Sequence, residues 1–148
     1  MAISLRVFAC AVLLFCGLLP VRAQNAGSGP ENFVGLDLAE LFSRFGVPRE
    51  VYSVRGAQEW QDDVVFVYPE GDFYLYRDRV WQVGVKNFRE IRIGDSRPAA
   101  ILFLGERVRE FSDSVICSLR QSPWPLDVRL NFNSAGAVSA IFLYRPDL

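Results

Sequence analysis

The sequence predicts an α+β protein made of two successive units, each a helix packed on a three-stranded antiparallel sheet. A short amphipathic helix pattern, closed by a glycine, begins each unit. Runs of β-branched and aromatic residues separated by turn sequences follow each helix. The pattern also allows the strands of both units to join in one continuous sheet with both helices on the same side.

Residues 1–23 have the three parts of an export signal. Arg6 precedes an apolar run over residues 7–19, and Ala23 offers the small side chain that signal peptidase requires before Gln24. A helix that spans a membrane needs about 20 apolar residues, which is more than this run contains. We therefore expect cleavage before Gln24, a flexible leader at residues 24–33, and a periplasmic or secreted protein.

A lipid-tethered protein is the alternative address. Cys16 would then carry the lipid and hold the chain at the outer membrane, although Phe15 precedes it where a small side chain is preferred. Cleavage before Gln24 would leave Cys117 as the one remaining cysteine and would exclude an intramolecular disulfide.

The first unit, residues 34–92, begins with a predicted helix. Asp37 and Glu40 have the spacing of a capping box, and Gly46 and Pro48 end the helix. Four apolar residues at helical spacing form its buried stripe: Leu38, Leu41, Phe42 and Phe45.

Three strands are predicted after this helix, from apolar runs that lie between turn sequences. They cover residues 64–68, 73–76 and 80–85. Because successive side chains of a strand point to opposite faces, we expect Tyr74 and Tyr76 to lie opposite Phe73. For the same reason, Val80 should share a face with Gln82.

The second unit, residues 93–148, follows the same order. The frame of glycine, helix and glycine returns at Gly94 and Gly105, with Ser96 in the position of the helix cap. The predicted strands cover residues 115–119, 127–132 and 137–144. Arg129 and Asn131 alternate with apolar residues, which indicates a sheet with one dry side and one wetter side.

Parts of both units resemble the small outer-membrane assembly lipoproteins called SmpA/OmlA. The matching stretches are VGLDLAELFSRFGVPREVYSVRG and VVFVYPEGDFYLYRDRVWQVGV, and the closing VRLNFNSAGAVSAIFLY looks like the final hairpin of the same pattern. Two such units in tandem also resemble the architecture of β-lactamase inhibitor protein, which binds its partner enzyme through the open face of its sheet. The resemblance implies a helix-on-sheet fold and a protein partner in the cell envelope.

The composition argues against catalysis, metal binding and nucleic-acid binding. The chain has no histidine, which removes the usual general base near neutral pH and most zinc sites. Cys117 lies in an apolar strand and is predicted to be a buried, unreactive thiol. Without the arginines of residues 1–23, acidic residues outnumber basic ones, so we expect no surface for nucleic acid. We expect no enzyme, no cofactor and no metal site.

Aromatic residues of the first unit provide the candidate binding surface. One helix cannot cover both faces of its strands, so some aromatic side chains should remain on an open sheet surface beside arginines. Tyrosine, tryptophan and arginine dominate protein-binding hot spots. The candidate partner-binding residues are Phe66, Tyr68, Tyr74, Tyr76, Arg77, Arg79 and Trp81. The alternative is that they pack against the second unit or against the loop that contains Trp60.

These observations predict an exported, non-catalytic protein-binding module of the cell envelope. One alternative is a small enzyme or ligand-binding domain, which would need a deep pocket where the carboxylates of Asp62, Asp63, Glu70 or Asp72 converge. The other alternative is a structural scaffold of an envelope assembly, tethered by a lipid on Cys16.

The intact mass of the exported protein distinguishes the two addresses. We expect a soluble product that begins at Gln24, measured by mass spectrometry of the protein after export. A mass that includes a lipid on Cys16 would contradict this expectation. A Cys16→Ser variant is the control, because it cannot be lipidated and should give the same mature mass if cleavage occurs before Gln24.

Overall fold

The computed structural model describes residues 29–56, 63–105 and 107–148. The predicted export signal, the cleavage position before Gln24 and the candidate lipid site Cys16 lie outside these residues. Trp60 and Asp62 lie outside them as well.

The described residues form one eight-stranded antiparallel sheet, a small hairpin and two α-helices. The sheet strands are β1 (Glu50–Val54), β2 (Asp63–Tyr68), β3 (Gly71–Tyr76), β4 (Arg79–Val85), β7 (Val108–Glu110), β8 (Ser114–Arg120), β9 (Leu126–Phe132) and β10 (Val138–Tyr144). The hairpin strands are β5 (Asn87–Phe88) and β6 (Ile91–Arg92), and the helices are α1 (Leu38–Phe45) and α2 (Arg97–Leu104), with a 3-10 turn at Pro30–Asn32. The strand order of the sheet is β1-β2-β3-β4-β10-β9-β8-β7.

The prediction of an α+β fold is confirmed, but the prediction of two three-stranded units is wrong. β1 to β4 and β7 to β10 are two four-stranded meanders that share one sheet, because β4 pairs with β10. The two strands that the sequence pattern does not reveal, β1 and β7, lie at the edges of the sheet. Every residue of β1 is exposed, and β7 has three residues, so neither shows a clear alternation of buried and exposed positions.

Helix α1 forms as its sequence predicts. The Asp37 carboxylate accepts a hydrogen bond from the backbone N–H of Glu40 at 2.8 Å, and the Glu40 carboxylate accepts one from the N–H of Asp37 at 2.9 Å. Gly46 ends the helix with a φ of 75°, a conformation that favours glycine. Leu41 is fully buried, and the Phe45 ring packs 5.1 Å from the Phe73 ring of β3.

Helix α2 packs on the same face of the sheet as α1. Ala100 of this helix is fully buried in the core, and the Sγ of Cys117 on β8 lies 3.8 Å from the carbonyl oxygen of Leu104. The strand register aligns Cys117 with Phe73, the residue beneath α1. The aligned row runs across five neighbouring strands through Phe73, Val83, Leu143, Val128 and Cys117. We call this side of the sheet the helix face.

A β-bulge in β4 changes the predicted orientation of side chains. The register pairs Tyr74 with Gln82 but Leu75 with Val80, so Trp81 is an extra residue between the two pairs. Val80 therefore lies on the helix face with Val83 and is fully buried. The expectation that Val80 shares a face with Gln82 is wrong, because strict alternation does not continue through a bulge.

Loss of the helix cap should weaken the protein by a predictable amount. Asp37→Ala removes the side chain that accepts the N–H of Glu40, and such substitutions cost about 1 kcal/mol. We expect a lower urea midpoint with an unchanged m value. Ser43→Ala, at an exposed position within α1, is the control and should not lower the midpoint. A midpoint of Asp37→Ala equal to that of the wild type would contradict the role of the cap.

Candidate binding face

The side of the sheet opposite the helices carries a group of aromatic side chains. We call this side the open face. Its first row, read across neighbouring strands, contains Tyr52, Val65, Tyr74, Gln82, Tyr144 and Asp127. Its second row contains Glu50, Val67, Asp72, Gly84, Phe142, Arg129 and Ile116. Tyr76 continues the face beyond the first row, since it lies two residues after Tyr74 in the same strand.

Both α-helices of the described ranges pack on the helix face, so neither lies over the open face. Smaller residues of this face are nevertheless buried. Val65, for example, is fully buried although it lies between Tyr52 and Tyr74 in the row, and Tyr52 itself remains 38% exposed. Tyr74, Tyr76, Phe142 and Tyr144 are half-buried. The open face is therefore an aromatic surface whose rings stay partly accessible.

The rings of Tyr74 and Phe142 form the centre of this surface. They meet edge to face, with centroids 6.2 Å apart. Burial raises the pKa of Tyr74 to about 12, and the neighbouring Tyr52 acts in the same direction. Tyr52 and Tyr74 lie on either side of Val65 in the first row.

A shallow depression lies beside this aromatic centre, and Gly84 and Phe142 form part of its wall. The Phe142 ring packs closely over Gly84, since a Cβ at this position would lie 3.3 Å from the ring. The depression has a volume of about 620 Å³, and its wall includes Tyr74, Asp72 and the rim residue Lys86. Burial raises the pKa of the Asp72 carboxyl, and the charge of Lys86 opposes that shift. The site is therefore an open hollow with an aromatic wall and one acid.

Two buried or half-buried carboxylates of the open face are already hydrogen-bonded. Asp127 is buried and accepts hydrogen bonds from Ser118 Oγ at 2.9 Å and from Arg109 Nη2 at 3.0 Å. Asp63 accepts one from Trp81 Nε1 at 3.0 Å. These bonds offset the desolvation of the polar groups and fix the indole of Trp81 on the open face.

Of the seven predicted binding residues, the structure brings three together on the open face: Tyr74, Tyr76 and Trp81. Arg77 joins them at the turn between β3 and β4, where its guanidinium lies 5.1 Å from the centre of the Tyr76 ring. Arg79, at the same turn, is directed toward the start of α1 and donates a hydrogen bond to the carbonyl of Gly35.

The remaining two predicted residues, Phe66 and Tyr68, lie on the helix face and not on the open face. Tyr68 is 4% exposed, packs on Phe45 and donates a hydrogen bond to the carbonyl of Gly46. Phe66 is half-buried and lies 5.8 Å from the ring of Phe42 on α1. Both alternate with Val65 and Val67 in β2, and the sequence alone does not say which of the two sets faces the helix.

Sequence reasoning missed four residues of the open face: Tyr52, Phe142, Tyr144 and Arg129. Tyr52 lies in the unpredicted strand β1. Phe142 and Tyr144 alternate with buried residues of β10, as Arg129 does in β9, and this alternation was the available signal. The alternation does not show that the wetter side of the second meander and the aromatic side of the first form one face of a common sheet.

The other sequence predictions about reactive groups concern Cys117 and the acids. Cys117 is buried as predicted, and burial raises the pKa of its thiol. Glu70 is exposed in the turn between β2 and β3, away from the hydrogen-bonded Asp63. Within residues 29–56, 63–105 and 107–148, no three potential ligands group together to hold a metal ion.

The comparison with known proteins supports the fold class. No family model matches the chain, and no curated protein matches it. A solved structure, described as an extracellular protein containing a SCP domain from Bacillus anthracis str. Ames, is similar with a TM-score of 0.54 and 12% sequence identity. The similarity covers 84% of this chain and 48% of that protein, so the chain spans about half its length. At this level of identity, the similarity concerns the fold alone.

This result corrects the resemblance to the assembly lipoproteins and to β-lactamase inhibitor protein. The quoted stretches consist of helix caps, glycine stops and strand patterns, which the eight-stranded sheet explains without common family membership. The structural similarity is to the extracellular SCP-domain protein instead.

Membrane insertion through a helix has no support in the described part of the chain. None of its helices combines the length and the apolar character that crossing a bilayer demands.

The pKa of Tyr74 leads to a prediction about alkaline stability. An unfolded tyrosine ionises near pH 10, whereas folded Tyr74 ionises near pH 12. Its contribution to the free energy of unfolding is therefore complete below about pH 10 and is lost as the pH rises toward 12. Tyr74→Phe should make the fall of this free energy over that range less steep, measured by urea denaturation. Burial also raises the pKa values of Tyr68 and Tyr144, which remain in the variant, so part of the slope should persist. An unchanged slope would mean that Tyr74 contributes nothing to it, which would contradict the assignment.

Proposed function

We propose that this protein is an exported, non-catalytic binding module that recognises a protein partner through the open face. The observation that carries the proposal is the asymmetry of the sheet. Both described helices cover one face, and the other carries six aromatic side chains that are half-buried or exposed. A surface of this kind stays accessible to another molecule.

The composition of the open face is that of a protein-binding surface. Tyrosine and tryptophan offer large contact area with few rotatable bonds, and arginine adds directional hydrogen bonds. Tyr52 comes from the edge strand β1, and Tyr74 and Tyr76 come from β3. Phe142 and Tyr144 come from β10, near the centre of the sheet. A partner could therefore contact aromatic rings across the middle of the sheet and along one side of it.

Export is the second part of the proposal. The three-part signal at residues 1–23 supports cleavage before Gln24 and a periplasmic or secreted location. The structural similarity to a protein described as extracellular fits that location. A free thiol that is buried, as Cys117 is, is also protected from oxidants outside the cytoplasm.

A ligand-binding or enzymatic role at Asp72 is the second candidate function. The observation that favours it is the raised pKa of this half-buried acid in the hollow beside Lys86. The hollow is open, and in the described residues Asp72 is the one carboxylate that lines it. Catalysis by a pair of carboxylates would need a second acid there, so we place this candidate after partner binding.

Removal of aromatic rings from the open face should abolish partner capture. We expect the double variant Tyr52→Ala, Tyr76→Ala to lose at least about 2 kcal/mol of binding free energy, since truncated hot-spot residues typically cost that much. The measurement is quantitative affinity capture from envelope extract, followed by titration of the purified partner against each variant.

Leu102→Ala provides the matched control for this experiment. Leu102 is a large apolar residue, 79% exposed on α2, and therefore lies on the opposite side of the molecule. The control should bind like the wild type, and thermal melts should show that all variants are folded. Equal capture by the wild type and the double variant would contradict the proposed function.

A further inference from the structure

Arg129 of β9 is held between two aromatic rings of the open face. Its guanidinium carbon lies 5.2 Å from the centre of the Phe142 ring and 5.6 Å from that of the Tyr144 ring. The register places Arg129 directly beside Phe142. The rings therefore orient the guanidinium plane. Less conformational entropy of the Arg129 side chain is then lost when a partner group binds it.

This guanidinium has no carboxylate partner in the described residues. Arg97 and Arg145 are also half-buried, but they pair with Glu110 at 3.3 Å and with Asp147 at 2.8 Å. The Nε of Arg129, by contrast, is buried without a hydrogen-bond acceptor. A half-buried cation with unused donors is costly unless an anion approaches it.

Neither Asp127 nor Asp72 of the open face serves as that anion. Asp127, in the neighbouring row, is engaged by Arg109 and Ser118. Asp72 lies in the same row as Arg129 but three strands away, which is about 14 Å at the usual strand spacing. The positive charge of Arg129 is therefore available to a group from outside the chain.

We propose that Arg129 binds a carboxylate of the protein partner, while the depression at Gly84 accepts an apolar side chain of the same partner segment. This inference rests on the proposed function and specifies the partner's chemistry. Gly84, Phe142 and Arg129 lie side by side on three adjacent strands, and Gly84 and Phe142 line the depression, so its wall begins within about 10 Å of Arg129. An aromatic and an acidic side chain two positions apart in an extended segment can reach both.

A pair of short peptides tests this inference without knowledge of the natural partner. The probes are acetyl-Phe-Gly-Glu-amide and acetyl-Phe-Gly-Gln-amide, which differ only in the charge of the third side chain. Their dissociation constants are measured by NMR titration at millimolar concentrations against the full exported chain. We expect the glutamate peptide to bind about tenfold more tightly, with shift changes at Tyr74, Gly84 and Phe142.

Two arginine variants identify the residue responsible. Arg129→Gln should remove the preference for the glutamate peptide, and Arg129→Lys should retain part of it because the charge remains without the planar fork. Arg120→Gln is the matched control. Arg120 is likewise half-buried, stacks on Trp124 at 5.1 Å and has a buried Nε without an acceptor, but it pairs in register with the core residue Leu126.

The outcomes separate this inference from the proposed function. Equal binding of the two peptides, absence of binding by both, or a preference that survives in Arg129→Gln would overturn the carboxylate subsite. Inorganic phosphate that binds at Arg129 as tightly as the glutamate peptide would also overturn it, since the site would then be a general anion site. In each case, loss of partner capture by the tyrosine variants would leave the proposed function standing.

Discussion

The pairing of β4 with β10 is the constraint on which the rest of the structure depends. It joins two meanders whose strands lie far apart in sequence, and it fixes Phe142 beside Gly84 and Tyr144 beside Gln82. The same register aligns Val83 with Leu143 beneath the helices. A shift by one residue would exchange the two faces of half the sheet, so the shared core and the aromatic open face are specified together.

The bulge at Trp81 reconciles two requirements of β4. The core beneath α1 needs an apolar side chain at Val80, and the open face receives the indole of Trp81, which Asp63 holds by a hydrogen bond. With regular alternation, Val80 and Trp81 could keep these positions only if Gln82 lay on the helix face and Val83 on the open face. The extra residue allows both, and it places a polar and aromatic group at the margin of the candidate binding surface.

The sequence predicts local structure better than it predicts the combination of elements. The capping box at Asp37 and the six longer strands follow from short-range chemistry, and the structure contains them close to the predicted bounds. The burial of Tyr68 beneath α1 could not be predicted, because period-two patterns do not say which face a helix will cover. Arg129 could not be recognised either, since its neighbours Phe142 and Tyr144 belong to another strand. A binding face assembled from several strands is a property of strand order, which no local pattern contains.

The position of β10 also bears on the order in which the fold can form. This strand lies near the centre of the sheet, yet it follows the other described strands in the sequence. The two meanders cannot complete their common core until it has left the ribosome, because contacts between distant segments form late. A chain without β10 would therefore leave β4 and β9 as two unpaired edges and would separate the halves of the core.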